Sequence, residues 1–252
     1  YLAVAIGVTR LARLTALDRT GVEVASAIRP DGHVLQVTNG KGRDFAAAAR
    51  GALHEAAELW AAEQPLPPGP VRAARLDRKG WLEVPPHFIA CPPVGLGPVD
   101  AQWTSNGMGA HASLAPALMH ALLEAWEREA LVRVLPEGWQ PRAFAGRRLG
   151  SLEVAEGFEA EAFELTPNGG AAPVAGVLLR TDGPIPLTAG YASRATLRDA
   201  VEAAWLEAAQ SRQTEIHGAR EDVVVARALD VDGLWREVQR AKRSTRASVR
   251  GP

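Results

Sequence analysis

The chain has 252 residues, 47% of them hydrophobic and 23% charged, with a formal net charge of −1. That size suits one large domain or two small ones, and the charge gives no global pull toward nucleic acid or an anionic membrane. A single cysteine, Cys91, excludes an internal disulfide and a cysteine-rich zinc site, and no apolar run reaches the length of a membrane span.

In chain order, residues 22–28 are apolar and β-branched and predict a strand. Pro30-Asp31-Gly32 carries turn chemistry, and 34–38 alternates as a second strand, closing a hairpin. Asn39-Gly40-Lys41-Gly42 follows, then a helix over 44–62. The segment 63–72, with four prolines and a glycine between 65 and 70, reads as a linker or surface loop. Residues 76–84 suggest a hairpin around Arg78-Lys79-Gly80, and 85–98 is too rich in proline for regular structure. Asn106-Gly107-Met108-Gly109 leads into a long helix over 114–134, and 161–165 adds a strand. Then 174–179 predicts a strand, Thr181-Asp182-Gly183 a turn, 185–189 a second strand, Gly190 a break and 197–214 a helix. The end of the chain, 241–252, is basic and poor in apolar residues and reads as a frayed or truncated tail; Tyr1 in place of Met suggests that residues precede it.

The stretch 172–214 repeats the order of 22–62: strand, Asp-Gly turn, strand, glycine, helix. Such self-similarity predicts two related β-β-α units. The two hairpins are expected to merge into one largely antiparallel sheet with helices on one face, an α+β architecture in a single domain spanning 1–252.

Three helices share a phrase. It reads Leu53-His54-Glu55-Ala56-Ala57-Glu58, then Leu122-Leu123-Glu124-Ala125-Trp126-Glu127-Arg128, then Trp205-Leu206-Glu207-Ala208-Ala209-Gln210. Residues three apart share a helix face, so each copy sets two oxygen-bearing side chains side by side. One such pair reads as a solvated face, because Glu and Ala are good helix formers. Three copies after glycine-containing breaks point further. Four carboxylates with an arginine repel one another unless a cation answers them. One or two Mg2+ ions bridging phosphates fit, with Arg128 and Arg212 clamping phosphate oxygens. Asn39-Gly40-Lys41-Gly42 offers N–H groups and an ammonium to phosphates, and equally well reads as a tight turn into a helix. It lacks the spacing of a P-loop. The six histidines show no ligand spacing, Cys91 has no adjacent base, and no nucleophile elbow supports a serine triad. The Trp and Leu positions read as core.

At these residues the chain resembles the YcaO family, over about residues 6–222. The matching stretches are Gly7-Val8-Thr9-Arg10, Leu17-Asp18-Arg19-Thr20-Gly21 and Ser26-Ala27-Ile28-Arg29-Pro30, then Asn39-Gly40-Lys41-Gly42 with Glu55 and Glu58, and Ser105-Asn106-Gly107-Met108. The run Ala121 to Arg128, Gln210-Ser211-Arg212 and Gly218-Ala219-Arg220-Glu221-Asp222 complete the pattern. The resemblance implies ATP- and Mg2+-dependent activation of a peptide backbone amide in ribosomal peptide natural-product biosynthesis. A nucleophile adds to the carbonyl, and the oxyanion attacks the γ-phosphate. A Cys, Ser or Thr side chain as nucleophile leaves an azoline; external sulfide leaves a thioamide. Carried over by motif, Glu55, Glu58, Glu124 and Glu127 are the expected metal ligands. Lys41, Asn106, Arg128, Gln210 and Arg212 are the expected nucleotide contacts. A catalytic residue is not assignable.

Departures from the family pattern bear on this. Gly51 stands where members often have Ser, Ala112 where many have Asn, and Pro116 where many have a ligand Glu. They motivate an alternative: a non-catalytic YcaO-like peptide-binding or scaffold subunit with a decayed ATP site. Partners implied are a ribosomal precursor peptide and a separate leader-peptide-binding or TfuA-like protein, with a homodimer from the family; nucleic acid and membrane are not expected. The opening, with Thr9-Arg10 and Leu17-Asp18-Arg19, resembles members that work with a TfuA-type partner. The expected compartment is the cytoplasm.

Overall fold

The computed structural model describes residues 1–65, 68–75, 77, 79–91, 103–140, 146–219 and 230–241. The chain opens with a short helix α1 (Leu2–Ala5) and strand β1 (Arg10–Arg13). Then β2 (Glu23–Ile28) and β3 (Val37–Gly42) lead to α2 (Phe45–Ala62). A hairpin of β4 (Val71–Ala74) and β5 (Trp81–Val84) precedes α3 (Leu114–Val134). The remaining elements are β6 (Arg148–Ser151), β7 (Phe158–Glu164), β8 (Val174–Thr181), β9 (Leu187–Ser193), α4 (Leu197–His217) and α5 (Val231–Arg240).

The α+β class and its antiparallel pairing hold. The two hairpins do not merge, however. One lies in a three-stranded sheet ordered β1-β2-β3, the other in a four-stranded sheet ordered β6-β7-β8-β9. The reason is visible at their open edges. The edge amide of Asn39 on β3 donates to Glu55 (3.0 Å), and that of Tyr191 on β9 donates to Glu207 (3.4 Å). Carboxylates from helices therefore occupy edge donors that a neighbouring strand would otherwise take.

Nor do all helices share one face. In β8, Ala175, Val177 and Leu179 pack with α4 residues Ala200, Ala204 and Ala208, while Val174 and Leu178 pack with Ala130 of α3 and Trp235 and Val238 of α5. This is the period of two of a strand buried on both sides. The smaller sheet packs Ala25 and Ala27 against Ala48, Ala52 and Ala56 of α2.

Each half uses the same device to bring its helix onto its edge strand. Gly40 lies in β3 and Gly190 in β9, not in breaks after them. A Cβ at Gly40 would lie 2.1 Å from Ala48 O and 2.2 Å from Ala52 N. A Cβ at Gly190 would lie 2.2 Å from both Ala204 O and Ala208 N. Thr38 donates to Ala52 O and Thr188 to Ala208 O, each at 2.9 Å. Helix backbone thus rests directly on strand backbone, which only glycine permits. Asn39-Gly40-Lys41-Gly42 is accordingly strand, paired with β2 through Asn39 opposite Ser26 and Lys41 opposite Val24. It is not a phosphate-cradling loop.

Helix starts follow their caps. Asp44 accepts from Ala47 N (2.7 Å) ahead of α2, and Thr196 from Asp199 N (3.1 Å) ahead of α4. The expected hairpin at 76–84 begins earlier, with Ala74 opposite Trp81; Leu76 and Arg78 lie outside the described residues, as do residues 92–98, 220–222 and 242–252. The leucines of α3 are not all core. Its C-terminal half packs Trp126, Ala130, Leu131 and Val134 inward, while Leu114, Leu118, Met119 and Leu122 are exposed. Among the described residues no helix is long and apolar enough to cross a membrane.

Candidate functional site

Helices α2, α3 and α4 and the edge strands β3 and β9 enclose a cavity of about 870 Å³. That is within the range of sites that take small molecules. The glycine and threonine anchors set the two halves in register. Gly51, His54, Glu55 and Glu58 of α2 then correspond to Glu207, Gln210, Ser211 and Thr214 of α4, and every one of them lines the cavity. Lys41 of β3 and Tyr191 of β9 also correspond and line it. Helix α3 closes the cavity with His120, Glu124, Glu127 and Arg128. Their spacings of four, three and one keep them along one side of a helix.

The carboxylates form two groups. Glu58 carries a pKa raised to about 7, chiefly by burial, with the charges of Glu124 and Glu55 adding to it; the Ala110 amide opposes the shift. Glu127 is likewise raised to about 7, first by burial and then by Glu207, against the pull of the Ser193 amide and of Lys41 and Arg194. One group is therefore Glu55, Glu58 and Glu124, and the other Glu127 and Glu207.

Main-chain donors orient most of them. Glu55 accepts from Asn39 N (3.0 Å), Glu58 from Ala110 N (2.8 Å), Glu127 from Ser193 N (3.1 Å) and Glu207 from Tyr191 N (3.4 Å). Backbone amides do not rotate away as side chains do, so these carboxylates are held before any ligand arrives. Two cations are already paired: Lys41 with Glu207 (2.8 Å) and Arg128 with Glu124 (2.9 Å). Tyr191 is pushed up to about 12, mainly by burial, so its phenol stays protonated while accepting from Trp139 Nε1 (2.7 Å).

A buried chain of polar groups ties the halves together. Ser26 Oγ donates to Asn39 Oδ1, and Asn39 Nδ2 donates to Thr214 Oγ1 (2.7 Å). With Lys41–Glu207 and Arg43–Glu202 (2.6 Å), these contacts join β3 and the residue after it to α4 of the other half.

Of the residues expected from sequence, the fold brings Glu55, Glu58, Glu124, Glu127, Lys41, Arg128 and Gln210 to the cavity lining. Arg212 and Asn106 are not among its lining. Arg212 is buried on the far side of α4, bonded to Asp18 (3.2 Å) and to the Ile185 carbonyl and stacked over Phe158. There its charge is met by Asp18 and the Ile185 carbonyl. Asn106 is exposed in the turn before α3, where its amide donates to Thr104 Oγ1 (3.4 Å). Sequence reasoning raised His111 and Ser113 as alternative nucleotide contacts, and passed over Glu207, Tyr191, Arg194, His54 and His120; of these histidines and Ser113, the cavity lining holds His54, His111 and His120. Glu207 was visible in the third copy of the helix phrase. His54 was not, because His54 and His111, with ring centroids 5.8 Å apart, meet only through the fold.

Among the described residues, no three of His, Cys, Asp and Glu lie close enough to hold a metal ion by themselves. The donor set still fits Mg2+. That ion is bound through one or two carboxylates, retained waters and substrate phosphates, not by an all-protein cage. Burial, with neighbouring carboxylates adding to it, raises Glu58 and Glu127 to about 7, a cost that such an ion would offset.

Comparison with known proteins shows the family and the fold. The sequence matches the model of the family described as YcaO cyclodehydratase, ATP- and Mg2+-binding, over residues 69–250. It is 31% identical to an uncharacterised protein of Methanothermobacter thermautotrophicus, over 88% of this chain and 69% of that protein. A second relative, from Rhizobium leguminosarum bv. trifolii, is an uncharacterised protein in the tfuA 3′ region. It is 36% identical over 40% of this chain, and the match spans 24% of its own length. The fold is similar to YcaO from Methanopyrus kandleri bound with AMPPCP and Mg2+, with a TM-score of 0.71 and 20% identity over 97% of this chain and 72% of that one. It is also similar to the E. coli microcin synthetase McbBCD complex, with a TM-score of 0.63 and 16% identity over 86% and 68% of the two chains. A heterocyclase in complex with substrate and cofactor aligns with a TM-score of 0.66 and 15% identity over 97% of this chain and 43% of that one.

Proposed function

This chain belongs to the YcaO cyclodehydratase family, and from that premise we propose that it is an ATP- and Mg2+-dependent enzyme activating a backbone amide of a ribosomally made peptide. The observation that carries the reading is the meeting of carboxylates from separate helices. Glu55 and Glu58 of α2, Glu124 and Glu127 of α3 and Glu207 of α4 line one cavity, alongside Lys41 and Arg128.

In this reading one or two carboxylates of the Glu55, Glu58 and Glu124 group would hold metal on one side, and Glu127 with Glu207 on the other, with waters and phosphate oxygens completing each shell. Mg2+, when bound, neutralises phosphate charge and eases transfer of the phosphoryl group. The chain's own part is placement. The Asn39, Ala110, Ser193 and Tyr191 amides fix the carboxylates, so little rotamer freedom is lost on binding. Lys41, Arg128 and Gln210 face the same space and are assigned to the nucleotide.

Formation of a thioamide is favoured over an azoline by the relative encoded beside tfuA. The proposed partners are a precursor peptide and a separate capture protein. Two neighbours support this: a microcin synthetase solved as a McbBCD complex, and the same complex with pro-MccB17 bound. A homodimer and a cytoplasmic setting complete the proposal.

One observation favours a second reading, a scaffold subunit without ATP turnover. The first turn of α3 carries Pro116 and no acidic residue. Calorimetric titration of ATP with Mg2+ separates the two. Binding that Glu124→Gln with Glu127→Gln abolishes supports the enzyme. No binding at millimolar ATP supports the scaffold.

A further inference from the structure

Arg194 lines the cavity and belongs to neither acidic group. It is the first residue after β9, as Arg43 is the first after β3. The two spend their charge differently. Arg43 reaches Glu202 of α4 at 2.6 Å. The Arg194 guanidinium meets no carboxylate within ion-pair distance among the described residues, and it donates to the Ser193 carbonyl (2.7 Å), while the Arg194 amide donates to the Pro173 carbonyl (3.2 Å). Lys41 and Arg128 are already neutralised by Glu207 and Glu124. Arg194 is thus the cavity-facing cation, among the described residues, without a counter-ion.

Its placement is specific. Ser193 is fully buried. Its amide holds Glu127 (3.1 Å), and its carbonyl holds the Arg194 guanidinium (2.7 Å). One rigid residue therefore sets a carboxylate and a guanidinium side by side. A carboxylate calls for a cation and a half-buried guanidinium for an anion. A ligand that presents both at adjacent atoms is a metal-chelated phosphate.

We propose that Arg194 anchors the polyphosphate of the bound nucleotide, next to the metal on Glu127. This rests on the reading of the cavity as a Mg2+–ATP site. The test compares wild type with Arg194→Gln and Arg194→Lys. MgATP is titrated by calorimetry, adenosine by ligand-observed NMR, and folding is followed by thermal melting. Arg194→Gln is expected to weaken MgATP at least tenfold, with adenosine binding and the melting temperature unchanged. Arg194→Lys is expected to fall between, since an ammonium keeps the charge but not the fork. MgATP affinity unchanged in Arg194→Gln overturns the assignment, and so does an equal loss of adenosine. Absence of MgATP binding to the wild type overturns the nucleotide reading itself, and this assignment with it.

Discussion

The two halves of the repeat share a scaffold and divide the chemistry. Both rest a helix on an edge strand through a glycine and a threonine, Gly40 with Thr38 and Gly190 with Thr188. Yet α2 presents Gly51, Glu55 and Glu58 to the cavity, where α4 presents Glu207, Ser211 and Thr214. The acidic positions differ by about one helical turn. Identical faces would bring like charges to the same level. With the offset, each carboxylate of one half corresponds to a neutral or small residue at the equivalent place of the other. Helix α3 then supplies a glutamate to each side, Glu124 near Glu58 and Glu127 near Glu207.

The scaffold shared by the halves can be broken at its closest contact. Gly40→Ala and Gly190→Ala each drive a methyl into helix backbone at 2.1–2.2 Å. Each is expected to cost about 3 kcal/mol, or to prevent folding, by urea denaturation. The same change at Gly51 meets Gly40 Cα at 3.3 Å and is expected to be far milder. Equal losses at all three would remove the close-approach argument.

The charged part of the comparison responds to pH. Glu58 and Glu127 titrate near 7 in the folded chain, against an ordinary 4.5. Between those values the folded state keeps protons that the unfolded state has released, so stability falls as pH rises through the window and levels off above it. Calorimetric melting of the metal-free protein should show Tm dropping by several degrees from pH 5 to pH 8. Glu58→Gln with Glu127→Gln should flatten that slope. A Tm that climbs with pH would show that burial does not govern these groups.

The acidic offset between halves is sharpened by Glu207→Gln. It releases Lys41 and relieves Glu127, and is expected to weaken MgATP by about tenfold, the scale of a lost charged contact. Ser211→Ala, at the α4 position equivalent to Glu55, should leave affinity within about twofold. The smallest effect concerns the seam between the halves. Thr214→Val removes the acceptor for Asn39 Nδ2 at a buried site. A loss of about 1–2 kcal/mol in urea denaturation is expected, with MgATP affinity little changed. A variant as stable as wild type would show that the seam does not depend on that bond.

Much of the fold was legible in local signals. The turn at Asp31-Gly32 forms, Asp182-Gly183 lies in the loop that closes the second hairpin, and helix 114–134 lies where its start and length indicated. The second strand of each hairpin was displaced toward the N-terminus. Glycine normally punctuates a strand, and nothing local in Gly40 or Gly190 says that a helix lies against it. Strands β1 and β6 were missed because each is four residues long and gains its place from a partner distant in sequence.

The site divides in the same way. Paired glutamates at helical spacing were readable, because an apolar helix carrying them needs a cation. Glu207 was aligned by motif with Glu55, whereas the backbone contacts align it with Gly51. Arg212 carried the right chemistry on the wrong side of α4, where Asp18 and Phe158 meet it.

Sequence by itself determined the repeated β-β-α order and the helices that bear acid, since caps, turns and periodicity act over a few residues. Only the tertiary structure decided that the halves form separate sheets, that their carboxylates interleave and that Arg194 faces the cavity with its charge unspent. Those outcomes depend on helix backbone touching strand backbone and on charges meeting across more than a hundred residues of chain, and no local pattern encodes such distances.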